Sequence, residues 1–353
     1  MSNLVTAQIQ EKDRNYVMSF GPLLKIDLRK ITHNATIVRE ALRHNDHSMM
    51  VVVKSCCGDP NIVRAIAAAG ISQFGDSRMS NLERLREANI EGVFWLLRSP
   101  APDQRERMVE LCNGSLQSDL DTIRQVEQLR PPAPHRVILM LDLGTGREGF
   151  QPNELLRACD EVERMAHVEL YGLGIYFMHA SDPAFVETTL RRFGEICNEV
   201  ESALGRVLKA KSFATSLVYD HILKSGFVPS GLNHLRLGTM PIIGRLTSVD
   251  DMPTLPGLAT DTAVLEVKVI QTKILSDRRV ALLEIGNLDT DIRLLRPIQN
   301  DLCVIDCSSD HTLVEQTPDA TLLKVGDAVE FTMYYRSFTR LMSSPYVTKC
   351  YSV

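Results

Sequence analysis

Residues 49–58 read Met49-Met50-Val51-Val52-Val53-Lys54-Ser55-Cys56-Cys57-Gly58: five apolar residues, one lysine, then small side chains. A short continuous apolar run closed by a turn signal reads as a strand buried on both faces, the kind found in a parallel sheet covered by helices. In a (β/α)8 barrel the C-terminal ends of the strands carry the active site. Lys54 stands at such an end, and a desolvated lysine amine is the usual group that forms a Schiff base with a carbonyl. The same lysine could instead snorkel into solvent along its apolar stem. The run by itself leaves both readings open.

Its neighbours along the chain decide the fold class. Strand-like runs recur at 49–54, 71–75, 92–97, 114–118, 136–143, 168–177, 207–215 and 234–238, eight in all. Between them lie segments with apolar residues at helical spacing, at 61–69, 79–88, 119–129, 152–166 and 183–204. Eight strands joined by helical crossovers predict a parallel α/β architecture, a (β/α)8 barrel of the TIM type. After residue 245 the texture changes. Residues 247–257, with Asp250-Asp251-Met252-Pro253 and Leu255-Pro256-Gly257, read as a linker or turn cluster. β-rich runs follow at 262–274, 279–285, 301–306, 328–335 and 346–353, which predict a second, mostly antiparallel β domain. Leu23–Leu28 is strand-like but precedes the eight barrel strands, so it is expected to join that second domain. The expected division is therefore an N-terminal extension with one strand over 1–28, the barrel over 29–245 and the β domain over 246–353.

The global numbers favour small-molecule chemistry. A chain of 353 residues, 44% hydrophobic and 24% charged, is long enough for one large domain and a smaller one. A net charge of −5 leaves no basic footprint for nucleic acid or an anionic membrane surface. No apolar run approaches the roughly 20 residues of a membrane span, and residues 1–20 lack the apolar centre of a signal peptide, so a cytoplasmic protein is expected. The eight cysteines form no CxxC pair and read as reduced, mostly buried thiols.

Several stretches together are specific enough to carry a resemblance: KIDLRKITHNA (25–35), VVVKSCCGDPNIVRAIAAAGI (51–71), FGDSR (74–78), VILMLDLGTGREG (137–149), NHLRLGTMPIIGR (233–245), SSDH (308–311) and VGDAVEF (325–331). In this order the chain resembles the alanine racemase superfamily, the fold-type III pyridoxal-phosphate enzymes, and within it the ornithine/alanine racemase group. The resemblance implies pyridoxal phosphate attached to Lys54, a barrel followed by a β domain, and a head-to-tail homodimer whose sites draw on both subunits. It implies racemisation of a free amino acid by removal and return of the Cα proton, with Lys54 serving one face.

Motif positions carry further expectations. Arg236 in HLRLGT falls where the family sets an arginine against the pyridine nitrogen. Such a residue cannot give up its proton, which leaves the ring a weak electron sink suited to proton exchange. Gly238 and Thr239, with Thr215 and Ser216, are placed to hold a phosphate after the seventh and eighth barrel strands. Thr215 and Ser216 could equally cap a helix. His179 falls where alanine racemases carry a histidine packed on the cofactor ring. Asp76, Arg78, Asp142, Arg147 and Glu148 sit at strand ends, either orienting Lys54 and the substrate or binding the barrel rim together. Arg147, Ser309 and Asp310 are expected substrate contacts, Glu148 a rim residue. No metal site is expected.

The chain departs from the family at the opposite-face base. Alanine racemases supply a tyrosine from a Gly-Tyr-Ala-Asp-Gly-type motif, whereas this chain reads Gly286-Asn287-Leu288-Asp289-Thr290-Asp291, and the amide of Asn287 cannot titrate. Asp289, Asp291, Asp310 and His311 are the candidates for that role, Asp289 and Asp291 alternatively for a distal ammonium of the substrate. Each could also be an ordinary turn residue. Two rival classes share the barrel: a non-catalytic pyridoxal-phosphate homeostasis protein, which lacks a β domain, and a D-threonine aldolase or D-serine dehydratase type lyase, matched only loosely by His311 with Cys303 or Cys307. The amino-acid substrate is left open.

Overall fold

The computed structural model describes residues 21–177, 182–227, 230–246 and 253–353. His179 and most of the expected linker lie outside them. Strand β1 (Leu23–Asp27) is followed at once by helix α1 (Leu28–Arg43), and the side chain of Asp27 caps that helix by accepting from Lys30 N at 3.0 Å.

Eight parallel strands then close into a barrel: β2 (Ser48–Val52), β3 (Gln73–Asp76), β4 (Val93–Leu96), β5 (Gly114–Gln117), β6 (His135–Leu141), β7 (Val168–Ile175), β8 (Ala210–Ala214) and β9 (His234–Leu237). All eight expected strands are present. β9 returns to β2, with Met50 opposite Arg236 in the closing register. Helices α2 (Pro60–Ala68), α3 (Met79–Glu87), α4 (Arg105–Leu111), α5 (Leu120–Gln128), α6 (Pro152–Glu163), α7 (Pro183–Leu204), α8 (Ser216–Ser225) and α9 (Thr239–Ile243) follow the strands. Met50, Trp95, Leu116, Ile138, Met140 and Ala210 pack together inside the barrel, so its interior is a filled core with the site confined to the mouth.

The second body is a mostly antiparallel sheet. Its main path runs β12-β15-β10-β11-β14-β13, built from β10 (Ala263–Leu275), β11 (Arg278–Leu283), β12 (Leu295–Pro297), β13 (Leu302–Cys307), β14 (Thr312–Gln316) and β15 (Ala328–Met333). Strand β1 pairs antiparallel with β10 and parallel with β16 (Thr348–Ser352), so the first and last strands of the described residues both belong to this sheet.

Helix α10 (Tyr335–Ser343) departs from expectation, because the β-rich run was read through to Tyr335. The strand stops at Met333, and Phe338, Leu341 and Met342, three and four positions apart, turn to the core as one helical face. This helix packs against the turn that holds Lys54 and so links the second sheet to the barrel mouth.

Candidate active site

Lys54 does not lie on β2 as expected. The strand ends at Val52, and residues Val53–Cys56 form a single 3-10 turn, followed by Cys57 and Gly58 in left-handed backbone with φ of 54° and 59°. A Cβ on Gly58 would come within 2.8 Å of the Asn81 Cβ, so only glycine lets the chain turn this close to α3. Asp59 then caps α2, accepting from Asn61 N and Ile62 N at 3.0 and 3.1 Å. It also accepts from the Tyr351 hydroxyl at 2.5 Å, which ties β16 to the Lys54 turn. The turn lifts Lys54 out of the ladder and aims it across the barrel mouth.

There Lys54 lines a cavity of about 440 Å³, a size typical of small-molecule sites. Its amine makes no hydrogen bond or ion pair among the described residues. Burial holds its pKa below the ordinary lysine value, and the nearby Arg147 and Arg236 add to that, while Asp76 opposes it. Asp76 is fully buried, accepting from Arg78 N at 2.8 Å and Asn81 Nδ2 at 3.0 Å, and burial raises its own pKa. The side chain of Arg78 lines a separate groove beside Arg98.

Arg236 enters the cavity floor from β9. Its guanidinium donates to Ser212 O at 3.2 Å, to Ser212 Oγ, and to Ile175 O at 2.6 Å. It has no carboxylate partner among the described residues, and burial alone pulls its pKa down to about 10. A buried arginine without an anion leaves room for an acceptor supplied by a ligand. Above it, Thr215, Ser216, Gly238 and Thr239 gather at the ends of β8 and β9. Ser216 Oγ accepts from Gly238 N at 3.3 Å and Met240 N at 3.4 Å, locking the two loops together. Helix α8 starts here with no acidic residue in its first turn and no side-chain cap, so its amides face the cavity as an anion cradle.

The opposite wall is the loop 142–149. The Asp142 carboxylate gathers it, accepting from Gly144 N, Thr145 N, Thr145 Oγ1 and Gly146 N at 2.7 to 3.3 Å. The ends of the loop are pinned by Asp142 N to Phe150 O at 3.0 Å and Phe150 N to Met140 O at 2.8 Å. On this wall Arg147 stacks 4.0 Å from the Tyr176 ring centroid and pairs with Glu148 at 2.8 Å. Glu148, read as a rim residue, lines the cavity instead.

Tyr335 also lines the cavity and was missed in the sequence. It is the first residue of α10, and burial, with Asp76 and Tyr176 nearby, raises the pKa of its phenol. The amphipathic spacing of Phe338, Leu341 and Met342 was the signal that could have placed it at a helix start.

Asp289, Asp291, Ser309, Asp310 and His311 do not line this cavity of their own chain. Asp291 is buried and paired with Arg293 at 3.0 Å and Arg336 at 3.4 Å. Asp289 accepts from Ser344 Oγ at 3.2 Å. Both carboxylates thus brace α10 within their own chain. Ser309, Asp310 and His311 form an exposed turn between β13 and β14, in which Ser308 Oγ accepts from His311 N at 3.1 Å. Asn287 N and Leu288 N donate to Ser308 O and Ser309 O at 2.9 and 3.0 Å, joining the 286–291 loop to that turn.

Residues 26–242 match the family model described as alanine racemase, N-terminal domain. The chain belongs to the alanine racemase family. It is 28% identical to the ornithine racemase of Acetoanaerobium sticklandii, covering 93% of this chain and 99% of that protein. To the lysine racemase of Thermotoga maritima it is 27% identical, over 94% and 98%. Among solved structures, alanine racemase from Clostridium difficile superposes with a TM-score of 0.77 at 18% identity, over 95% and 96% of the two chains. D-threonine aldolase from Filomicrobium marinum reaches 0.73 at 16%, over 91% of each. One fold therefore carries more than one chemistry, and the reaction has to be argued from the site.

Proposed function

We propose that this alanine racemase family member is a pyridoxal-phosphate-dependent amino-acid racemase. The observation that carries the reading is the convergence on one cavity of Lys54 and a buried Arg236, neither with an anionic partner among the described residues. The residues fit the cofactor: Lys54 for its aldehyde, Arg236 for its ring nitrogen, and Thr215, Ser216, Gly238 and Thr239 for its phosphate. Pyridoxal phosphate bound there supplies an electron sink for the pair left when the Cα–H bond breaks.

The chain's own groups do the rest. Lys54 Nζ, its pKa held down by burial, is available as a neutral base below the pH where an exposed lysine would be, and it takes or returns the Cα proton on one face. Arg236 donates hydrogen bonds and keeps its proton, which favours simple return of the Cα proton over elimination. Arg147, with its guanidinium held over Tyr176, binds the α-carboxylate. Loop 142–149 and Tyr335 wall the cavity and limit the water that reaches the reacting carbon.

The second acid/base is supplied in a head-to-tail homodimer, in which the exposed turn with Ser309, Asp310 and His311 covers the partner's cavity mouth. Leu288, 74% exposed beside that turn, is the apolar surface such a contact would cover. Among the described residues no helix is long and apolar enough to cross a membrane.

The test is incubation of cofactor-loaded protein with single L-amino acids in deuterated water. Appearance of Cα-deuterated D-enantiomer, without ketoacid, ammonia or aldehyde, is expected. In Lys54→Ala both that exchange, by at least about 1,000-fold, and the visible absorbance of the bound cofactor should disappear. Metal-dependent release of an aldehyde would instead favour a lyase, and cofactor binding with no turnover of any amino acid a homeostasis protein.

A further inference from the structure

The cavity's charges are unequal in a way that bears on the side chain of the substrate. Lys54, Arg147 and Arg236 bring three cations to the lining, and Glu148 is the one carboxylate among the described lining residues. Lys54 and Arg236 are committed to the cofactor in the reading above. Arg147 is therefore the cation left for an α-carboxylate. In the free protein Arg147 is held by Glu148, through Nη2 to Oε1 at 2.8 Å and Nε to Oε2 at 3.3 Å. Both Glu148 oxygens thus take the Nε–Nη2 edge of the guanidinium, the one suited to side-on bidentate pairing, and an incoming α-carboxylate competes with Glu148 for it. Glu148 is then a carboxylate on the cavity wall without its partner, placed to accept a cation brought by the substrate.

We propose that Glu148 selects amino acids whose side chain ends in a cation, the diamino acids, by taking the distal ammonium as Arg147 turns to the α-carboxylate. This rests on the racemase reading. Two features make the exchange workable. The loop backbone is fixed by Asp142, so Glu148 starts from one place. Its side chain is still 42% exposed, and two methylenes let the freed carboxylate swing toward the end of a three- or four-carbon side chain. A neutral side chain of the same length offers no counter-charge, and Glu148 then competes with the substrate for Arg147.

The experiment compares L-ornithine and L-lysine with their neutral isosteres L-norvaline and L-norleucine in the wild type and in Glu148→Gln. Two readouts are used: Cα deuterium exchange, and the Kd from the amino-acid-induced change in the absorbance of the bound cofactor. The wild type is expected to favour the diamino acids by tenfold or more in kcat/KM. Glu148→Gln should lower kcat/KM and weaken binding for the diamino acids roughly five- to fiftyfold, while the neutral isosteres stay level or improve. Equal losses for both classes would mean that Glu148 only orients Arg147 and would overturn the proposal. A wild type that turns over norvaline as well as ornithine would overturn it without any variant. A protein that binds the cofactor but exchanges no amino acid defeats the racemase reading itself, a separate result.

Discussion

At the scale of single residues, Arg236 rests on a buried relay. Its guanidinium donates to Ser212 Oγ, so the Ser212 hydroxyl hydrogen must go elsewhere, and His234 Nδ1 lies 2.8 Å away to accept it. That requires a neutral His234 with its proton on Nε2, an atom with no partner among the described residues. Burial, with Arg236 next to it, pushes the His234 pKa down to about 3, and burial pushes His135, whose ring nitrogen lies 2.9 Å from Ser115 Oγ, down to about 4. For both, the folded pKa is below the unfolded value near 6.5. The unfolded chain therefore takes up protons first as pH falls, and stability present above pH 6.5 is lost on the way to pH 4. Each histidine is expected to cost about 2 kcal/mol at pH 5. Urea unfolding at pH 7 and pH 5 measures this, and the double variant His135→Gln/His234→Gln should show a flatter dependence. An unchanged slope would place the acid lability elsewhere. Lys54 and Arg236 were legible in the sequence because each interrupts an apolar strand pattern. Tyr335 and the cavity-facing place of Glu148 were not, since nothing local to either residue says which wall it faces.

Among the elements, α10 bears most on the site. Ser337 is fully buried, donates through Oγ to Asp291 O at 2.7 Å, and accepts at its carbonyl from Thr290 Oγ1 at 3.2 Å. With Asp291 on Arg293 and Arg336, these bonds hold the 289–294 segment against the helix that carries Tyr335. Ser337→Ala is expected to destabilise the protein by about 0.5–1.5 kcal/mol, because it removes a buried hydrogen bond and leaves the Asp291 carbonyl with Leu294 N alone. It should also weaken cofactor binding several-fold, since α10 packs on the Lys54 turn. Loss of stability with an unchanged cofactor Kd would show that α10 does not position the cavity wall. The eight barrel strands could be read in advance from continuous apolar runs. β12, with three residues, and α10, hidden behind a β-rich run, could not, because short elements take their conformation from what they pack against.

For the whole molecule, the placement of the 286–291 and 308–311 loops away from their own chain's cavity argues for a dimer. Sedimentation equilibrium is expected to give twice the chain mass of 39.5 kDa, and a fully active monomer would remove the shared-site reading. The amino-acid sequence by itself determined the barrel, the second sheet, the family and the place of Lys54 at the barrel mouth, because strand periodicity and strand-end residues are local properties of the chain. The tertiary structure alone decided that Lys54 leaves its strand on a 3-10 turn, that Asp289 and Asp291 brace a helix, and that Glu148 and Tyr335 wall the cavity. Those outcomes depend on barrel closure and on the docking of α10, which bring together residues as far apart in the chain as Lys54 and Tyr335, and no local pattern encodes a contact at that separation.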